Sequence, residues 1–346
     1  QLRWKIMNPT ASLYNNRLQL HASIEMACMD LAGKRLGIRA CDLLGGAIRE
    51  TVPFASYIFY RYLDETGTHG GETYADEIVA HARALKDKHG FRTHKLKGGH
   101  FPPDHDIEVM HALGEAFPED RLRLDPNGLW SVEESVRVAQ AIQPLRNDYL
   151  EDPTWGMEGM RRVREQISIP TATNQVVVNF EHLTQCILHN QVDVILLDTT
   201  FWGGLRQAYK AGTVLETFQY SAAVHSSGEL GIQLASMLHL GAALPNLNFA
   251  ADAHYHHLTD DILVGGPMTY SDGAIAVPTG PGLGITVDRD KVAEYAELYK
   301  AEGGYHYDRD PGRPGWYAQL PETRFADPSL KAAPTIYNRT RNGAGN

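Results

Sequence analysis

From about residue 50 the chain repeats one pattern: a short apolar run, an amphipathic stretch, then another apolar run. The runs are VPFASYIFY (52–60), FRTHKLKG (91–98), RLRLDPN (121–127), DYLEDP (148–153), IPTATNQ (169–175), VDVILLDTT (192–200), SAAVHSS (221–227) and LNFAADAH (247–254). The stretches between them read as helices. GETYADEIVAHARALKDKHG (71–90) sets Ile78, Val79, Ala82 and Leu85 on one face and stops at Gly90. SVEESVRVAQAI (131–142) opens with Ser131 and Glu134 at capping-box spacing. Strands that alternate with helices are joined by crossovers, so they run parallel. Eight of them predict a closed α/β barrel. Ahead of the rhythm, ASIEMACMDLAGKRLG (22–37) reads as a helix with Ile24, Ala27, Cys28 and Leu31 facing inward.

Composition limits the alternatives. A net charge of −10 over 346 residues, with Lys and Arg scattered, speaks against a nucleic-acid or membrane-surface partner. Cys28, Cys41 and Cys186 are too few and too far apart for a disulfide framework or a zinc site, which fits a cytoplasmic protein. No apolar run is long enough to span a bilayer.

Barrel enzymes carry their chemistry at the C-terminal ends of the strands. Those ends hold Lys95 and Lys97, Asp125 and Asn127, Glu151 and Asp152, Asn174, Asp198, His225, and Asp252 with His254. From Asp125 through Glu151, Asn174, Asp198 and His225 to His254 the steps are 26, 23, 24, 27 and 29 residues, one βα unit each. Each group alone is unremarkable: a K-x-K is usually a solvated strand end, and LDPNG (124–128) is an Asp-Pro turn. The ordered set carries the argument.

Asp125, Glu151 and Asn174, on neighbouring strands, offer oxygen ligands only. That suits Mg²⁺, while the absence of thiolate and imidazole at these ends disfavours zinc. Such a cation holds a substrate carboxylate and stabilises the enediolate formed when the adjacent C–H loses its proton. Lys97 is the expected base. Lys95, two residues away on the same face, is expected to lower its pKa by like-charge repulsion and to help hold the substrate carboxylate. His225 is the expected second acid/base, oriented by Asp198. Ser226 adjoins His225 but faces the other way, which argues against a Ser-His-Asp triad. The cluster DAHYHH (252–257) reads as a surface loop and GPGLG (280–284) as a turn.

The order K-x-K, LDPNG, LEDP, TATN, DTTFW and HSS resembles the enolase superfamily, and within it the glucarate dehydratase group. The likeness runs from about residue 20 to 303 and includes IEMACMDLAGKRLG, LLDTTFWGG and VPTGPGLGITVDRDKV. It implies a modified TIM barrel of the (β/α)7β type with the remnant of an N-terminal α+β capping domain. The division is then 1–50 for the end of that domain and a linking helix, 51–302 for the barrel, and 303–346 for a wrapping segment and tail. It implies Mg²⁺ on Asp125, Glu151 and Asn174, with Lys97 and Lys95 facing a His225–Asp198 dyad. Asn127, Tyr57, His254 and Ser226 would contact substrate.

The activity implied is dehydration of an aldarate or aldonate to a 2-keto-3-deoxy acid. The partner is then a small acid sugar, and a homo-oligomer is expected. Two alternatives stand beside it: a racemase or epimerase of a 2-hydroxy acid, and a poorly active homologue that serves as a binding partner. The family follows the dyad His with Ser-Asn-Asn, whereas this chain reads HSSGELG, so D-glucarate itself is expected to be a poor substrate.

Overall fold

The computed structural model describes residues 16–64, 66–226, 228–302, 318–319 and 325–331. In chain order the elements are α1 (Asn16–Leu36), β1 (Thr51–Pro53), β2 (Ser56–Arg61), α2 (Ala75–His89), β3 (Thr93–Lys97), α3 (Pro103–Ala116), β4 (Arg121–Asp125) and α4 (Val132–Ile142). They continue with β5 (Asn147–Glu151), α5 (Met157–Arg164), β6 (Thr171–Thr173), α6 (Phe180–His189), β7 (Val194–Asp198), α7 (Leu205–Thr217), β8 (Ser221–His225) and α8 (Gly231–Ala243). Last come β9 (Ala274–Ala276), α9 (Arg289–Glu302) and β10 (Ala318–Gln319).

Strands β2 to β8 pair in sequence order, all parallel, and the fold is a modified TIM barrel. The expected eighth strand differs from the others. Residues 246–252 form no regular strand, yet they close the sheet from both sides. Asn248 N and Asp252 N donate to Ala222 O and Val224 O of β8, while Ala55 N, just before β2, donates to Ala251 O. Run 52–60 is split: β1 pairs antiparallel with β9 outside the barrel, and only β2 enters it.

The two-residue period of a strand sorts side chains into two layers. Ile58, Leu96, Leu122, Leu124, Leu150, Ile195, Leu197, Ala222 and Val224 face the helices and join the main core. Tyr149, Ala172, Val194, Leu196 and Ala223 fill the barrel interior. Tyr149, Ala172, Leu196 and Ala223 come two positions before Glu151, Asn174, Asp198 and His225, so from β5 to β8 an apolar plug lies below a polar group at the mouth; on β3 and β4 the residues below are Lys95 and Arg123.

The helices obey their local signals. Gly90 ends α2 with φ 79°, a left-handed conformation glycine tolerates. Ser131 Oγ accepts from Glu134 N at 3.1 Å at the start of α4. In α1 the inward face is Leu18, Ala22, Met26 and Met29, not the expected Ile24, Ala27, Cys28 and Leu31; Leu31 is 69% exposed. Polar anchors decide this. His21 Nδ1 bonds Gly203 O at 2.7 Å, and Glu25 accepts from Leu205 N at 2.9 Å and Arg206 N at 3.1 Å, capping α7.

The loop at 280–284 packs on α1 as a turn: a side chain at Gly282, where φ is 71°, would collide with Asp30. Of the expected wrapping segment and tail, all but 318–319 and 325–331 lies outside the described residues. Within it, β10 pairs antiparallel with the end of β2, and Ala326 N donates to His100 O at 2.9 Å. Among the described residues, no helix is long and apolar enough to cross a membrane.

Candidate active site at the barrel mouth

The register of the sheet sets Lys97 beside Asp125 and Asp198 beside His225. Lys97 Nζ lies 2.7 Å from Asp125 Oδ2 and donates to Asn127 Oδ1 at 2.9 Å. Asn127 closes the turn after β4 with φ 61°, and its N–H donates to Asp125 Oδ1 at 3.0 Å. The glycines after Lys97 make this approach possible. A side chain at Gly98 would meet the Asp106 carboxyl at 2.6 Å, and one at Gly99, where φ is 78°, would meet Pro126 O at 2.7 Å.

Lys95, two residues before Lys97, lies one layer deeper in the barrel. Its ammonium is fully buried, 2.6 Å from Glu151 Oε2, 2.9 Å from Asp252 Oδ2 and 3.3 Å from Asp125 Oδ2. Burial alone would lower its pKa, but Asp252, Glu151 and Asp125 outweigh that and hold it well above the ordinary lysine value. Lys95 is thus a buried cation engaged by three carboxylates inside the barrel. Arg123, one layer down on β4, extends the network to Asp252 Oδ1 at 2.8 Å and Asp148 Oδ2 at 3.0 Å. Asp252 and Arg123 had no assigned role from sequence. Arg123 was legible in hindsight, because it shares the face of Asp125 two residues on.

Glu151 and Asn174 complete the ring on β5 and after β6. Burial, then Asp125, pushes the Glu151 carboxyl well above the usual range, and the Asp125 carboxyl is held well below it, where Lys97 and Lys95 overcome burial. Glu151 Oε2 is taken by Lys95, but Glu151 Oε1 and Asn174 Oδ1 are buried without a hydrogen-bond partner. Such atoms are costly unless something fills them. Two orphaned oxygens, together with the Asp125 carboxylate, fit a hard divalent cation. Among the described residues no three His, Cys, Asp or Glu side chains gather as a metal group; this set is two carboxylates and an amide.

Asn174 Nδ2 donates to His225 Nε2 at 2.9 Å, and His225 Nδ1 faces Asp198 Oδ2 at 3.4 Å. These partners assign the tautomer with Nδ1–H toward Asp198 and the lone pair on Nε2, the form a base requires. The Tyr57 ring packs tilted against His254 with centroids 4.5 Å apart, and its hydroxyl lies 3.5 Å from Asp125 Oδ2. Ser226 Oγ is committed to Glu229, a residue without an assigned role from sequence. The 252–257 loop is no surface feature. His254 is 6% exposed and its pKa is pushed well below the ordinary value, by burial first and then by His225. His257 bonds Arg61 at 3.0 Å and Tyr57 O at 2.8 Å.

A closed parallel barrel with ionisable groups converging at the C-terminal mouth is an enzyme scaffold. Residues 77–291 match the family described as Enolase C-terminal domain-like, and the chain belongs to the enolase superfamily. It is 38% identical over 301 residues to a probable glucarate dehydratase of Streptomyces coelicolor, covering 85% of this chain and 69% of that protein. Among solved structures it resembles an enolase from Thermobispora bispora complexed with magnesium and formate, at 42% identity and TM-score 0.78, covering 82% of this chain and 69% of that one. It also resembles an isomerase from Streptomyces coelicolor A3(2), at 37% identity and TM-score 0.77, covering 84% and 76% of the two chains.

Proposed function

We propose that the protein is a Mg²⁺-dependent acid-sugar dehydratase. The observation that supports this most is that two basic groups each touch a different member of the oxygen set. Lys97 contacts Asp125 from one flank, and His225 contacts Asn174 from the other. Asp125, Glu151 and Asn174 would hold the cation. When bound it supplies positive charge against the negative charge that develops on a substrate carboxylate as its α-proton leaves.

The protein's own groups do the rest. Lys97 or His225 Nε2 removes the α-proton, according to the configuration at that carbon. The group opposite gives a proton to the β-hydroxyl, which leaves as water. Loss of that proton and hydroxyl leaves an enol, which becomes the 2-keto-3-deoxy acid. Asp198 holds the His225 ring in the useful tautomer. Lys95 keeps the carboxylates below the mouth neutralised. The likeness to a probable glucarate dehydratase agrees with this chemistry.

A second reading, a racemase or epimerase, draws on the same pair of bases, because a 1,1-proton transfer needs one on each face. Likeness to a protein described as an isomerase keeps it in view. The deciding experiment is a screen of aldonic and aldaric acids with Mg²⁺ for keto-acid formation, with α-proton exchange into deuterated water followed in parallel. Keto acid from at least one of them is expected. Exchange on every reactive acid with no keto acid would replace the dehydratase reading with the epimerase one.

A further inference from the structure

Glu229 sits on the loop between β8 and α8, four residues after His225. Gly228, with φ 110°, makes the turn that brings its carboxyl back toward the mouth. Oε2 accepts a hydrogen bond from Ser226 Oγ and lies 3.9 Å from His254 Nδ1. The backbone N–H groups of His254 and Tyr255 also face the carboxyl, and the residue as a whole is 7% exposed. The loop is tied to the 252–263 stretch behind it: Gly231 N donates to Asp261 Oδ1 at 3.0 Å, and Tyr255 OH donates to Asp261 Oδ2.

The oxygen set occupies β4 to β6, and the reacting carbon belongs between Lys97 and His225. The rest of a sugar acid then lies over β8, the 246–252 stretch and β2. Ser226, His254 and Tyr57 line that side. We infer that Glu229 is a positioning residue for substrate recognition, fixing Ser226 and His254 so that they bind the hydroxyl groups of the sugar acid beyond the reacting carbons. Burial pushes its carboxyl up to about 8, so near neutral pH it carries a proton and can donate as well as accept. A charged partner is not needed for hydroxyl groups, which exchange both kinds of hydrogen bond. The inference rests on the acid-sugar reading.

The test compares wild type, Glu229→Ala and Glu229→Gln with Mg²⁺ present. The probes are five- and six-carbon aldonates and aldarates, with lactate as the hydroxyl-poor control. Calorimetric Kd and steady-state KM and kcat are measured for each. Glu229→Ala is expected to raise Kd and KM for the best sugar acid by about tenfold or more, with a smaller loss in kcat and little change for lactate. Glu229→Gln keeps an oxygen for Ser226 and is expected to recover most of the affinity. Loss confined to kcat, an equal loss on lactate, or no change in either variant overturns the inference. Sugar acids bound by wild type without turnover would sink the dehydratase reading, and Glu229 would still be judged by Kd. Binding of none of the panel by wild type would sink both.

Discussion

Lys97 Nζ lies 2.7 Å from Asp125 Oδ2, across two strands whose register places these residues side by side. A base and a metal-ligand candidate thus share one contact. The same arrangement recurs on the far flank, where His225 Nε2 meets Asn174 Nδ2 at 2.9 Å.

If those two groups are the acid and base, Lys97→Met and His225→Asn should each lower turnover by about 10²–10⁴-fold. Each variant should retain its Mg²⁺ affinity. On a poor epimer of the substrate, one variant should still exchange the α-proton with solvent deuterium and the other should not. Full turnover in either variant removes that residue from the mechanism.

The orphaned oxygens make a separate prediction. Asn174→Ala and Glu151→Gln should weaken Mg²⁺ binding by about tenfold or more, since each removes or dulls one oxygen ligand. Calorimetric titration of the metal-stripped protein reads this directly. A wild-type protein that binds no Mg²⁺, or an Asn174→Ala variant that binds it as tightly as wild type, would refute the ligand assignment.

Lys95 predicts a stability effect instead. Replacing it by Met leaves Glu151, Asp252 and Asp125 without their shared cation. Breaking a buried ion pair from one side costs about 3–5 kcal/mol. Urea denaturation of Lys95→Met should show a loss of that order, whereas Lys97→Met, at the partly open mouth, should lose much less. Equal losses would show that the two lysines share one role.

Asp106 supplies the pH prediction. It accepts from Gly99 N and from Tyr60 OH, both at 2.7 Å, yet burial wins and raises its carboxyl to about 7. The folded value is above the unfolded one of about 3.9. Its contribution to stability is therefore fully present below about pH 4 and is lost as pH rises through about 7. Asp106→Asn removes that titration. Denaturation free energies measured from pH 4 to 7 should fall less steeply in the variant than in wild type. Parallel slopes would exclude Asp106 as a source of pH dependence.

The chain's local pattern was enough to place the seven regular barrel strands, the caps at Ser131 and Gly90, and the residues that line the mouth. The reason is physical. Strand period two and helix period 3.6 are local, and at Glu151, Asn174, Asp198 and His225 the polar residue follows an apolar one two positions earlier, so the face is written in the sequence. The same alternation places Asp125 and Glu151 at the C-terminal ends of β4 and β5 and Asn174 just after β6.

Other features depended on what each group meets in three dimensions. Helix α1 has two apolar stripes, and only the anchors His21 and Glu25, bonded to residues some 180 positions away, choose between them. The 246–252 stretch closes the barrel through bonds to strands on both sides without becoming a strand itself. Two lysines at i and i+2 look alike in the sequence. Packing buries Lys95 against three carboxylates and leaves Lys97 at the mouth, because the interior layers of the barrel differ in depth. Glu229 reads as a loop residue until the fold brings Ser226 and His254 to its carboxyl. Period and capping are decided by neighbours along the chain, whereas charge state and role are decided by groups that only the folded barrel brings together.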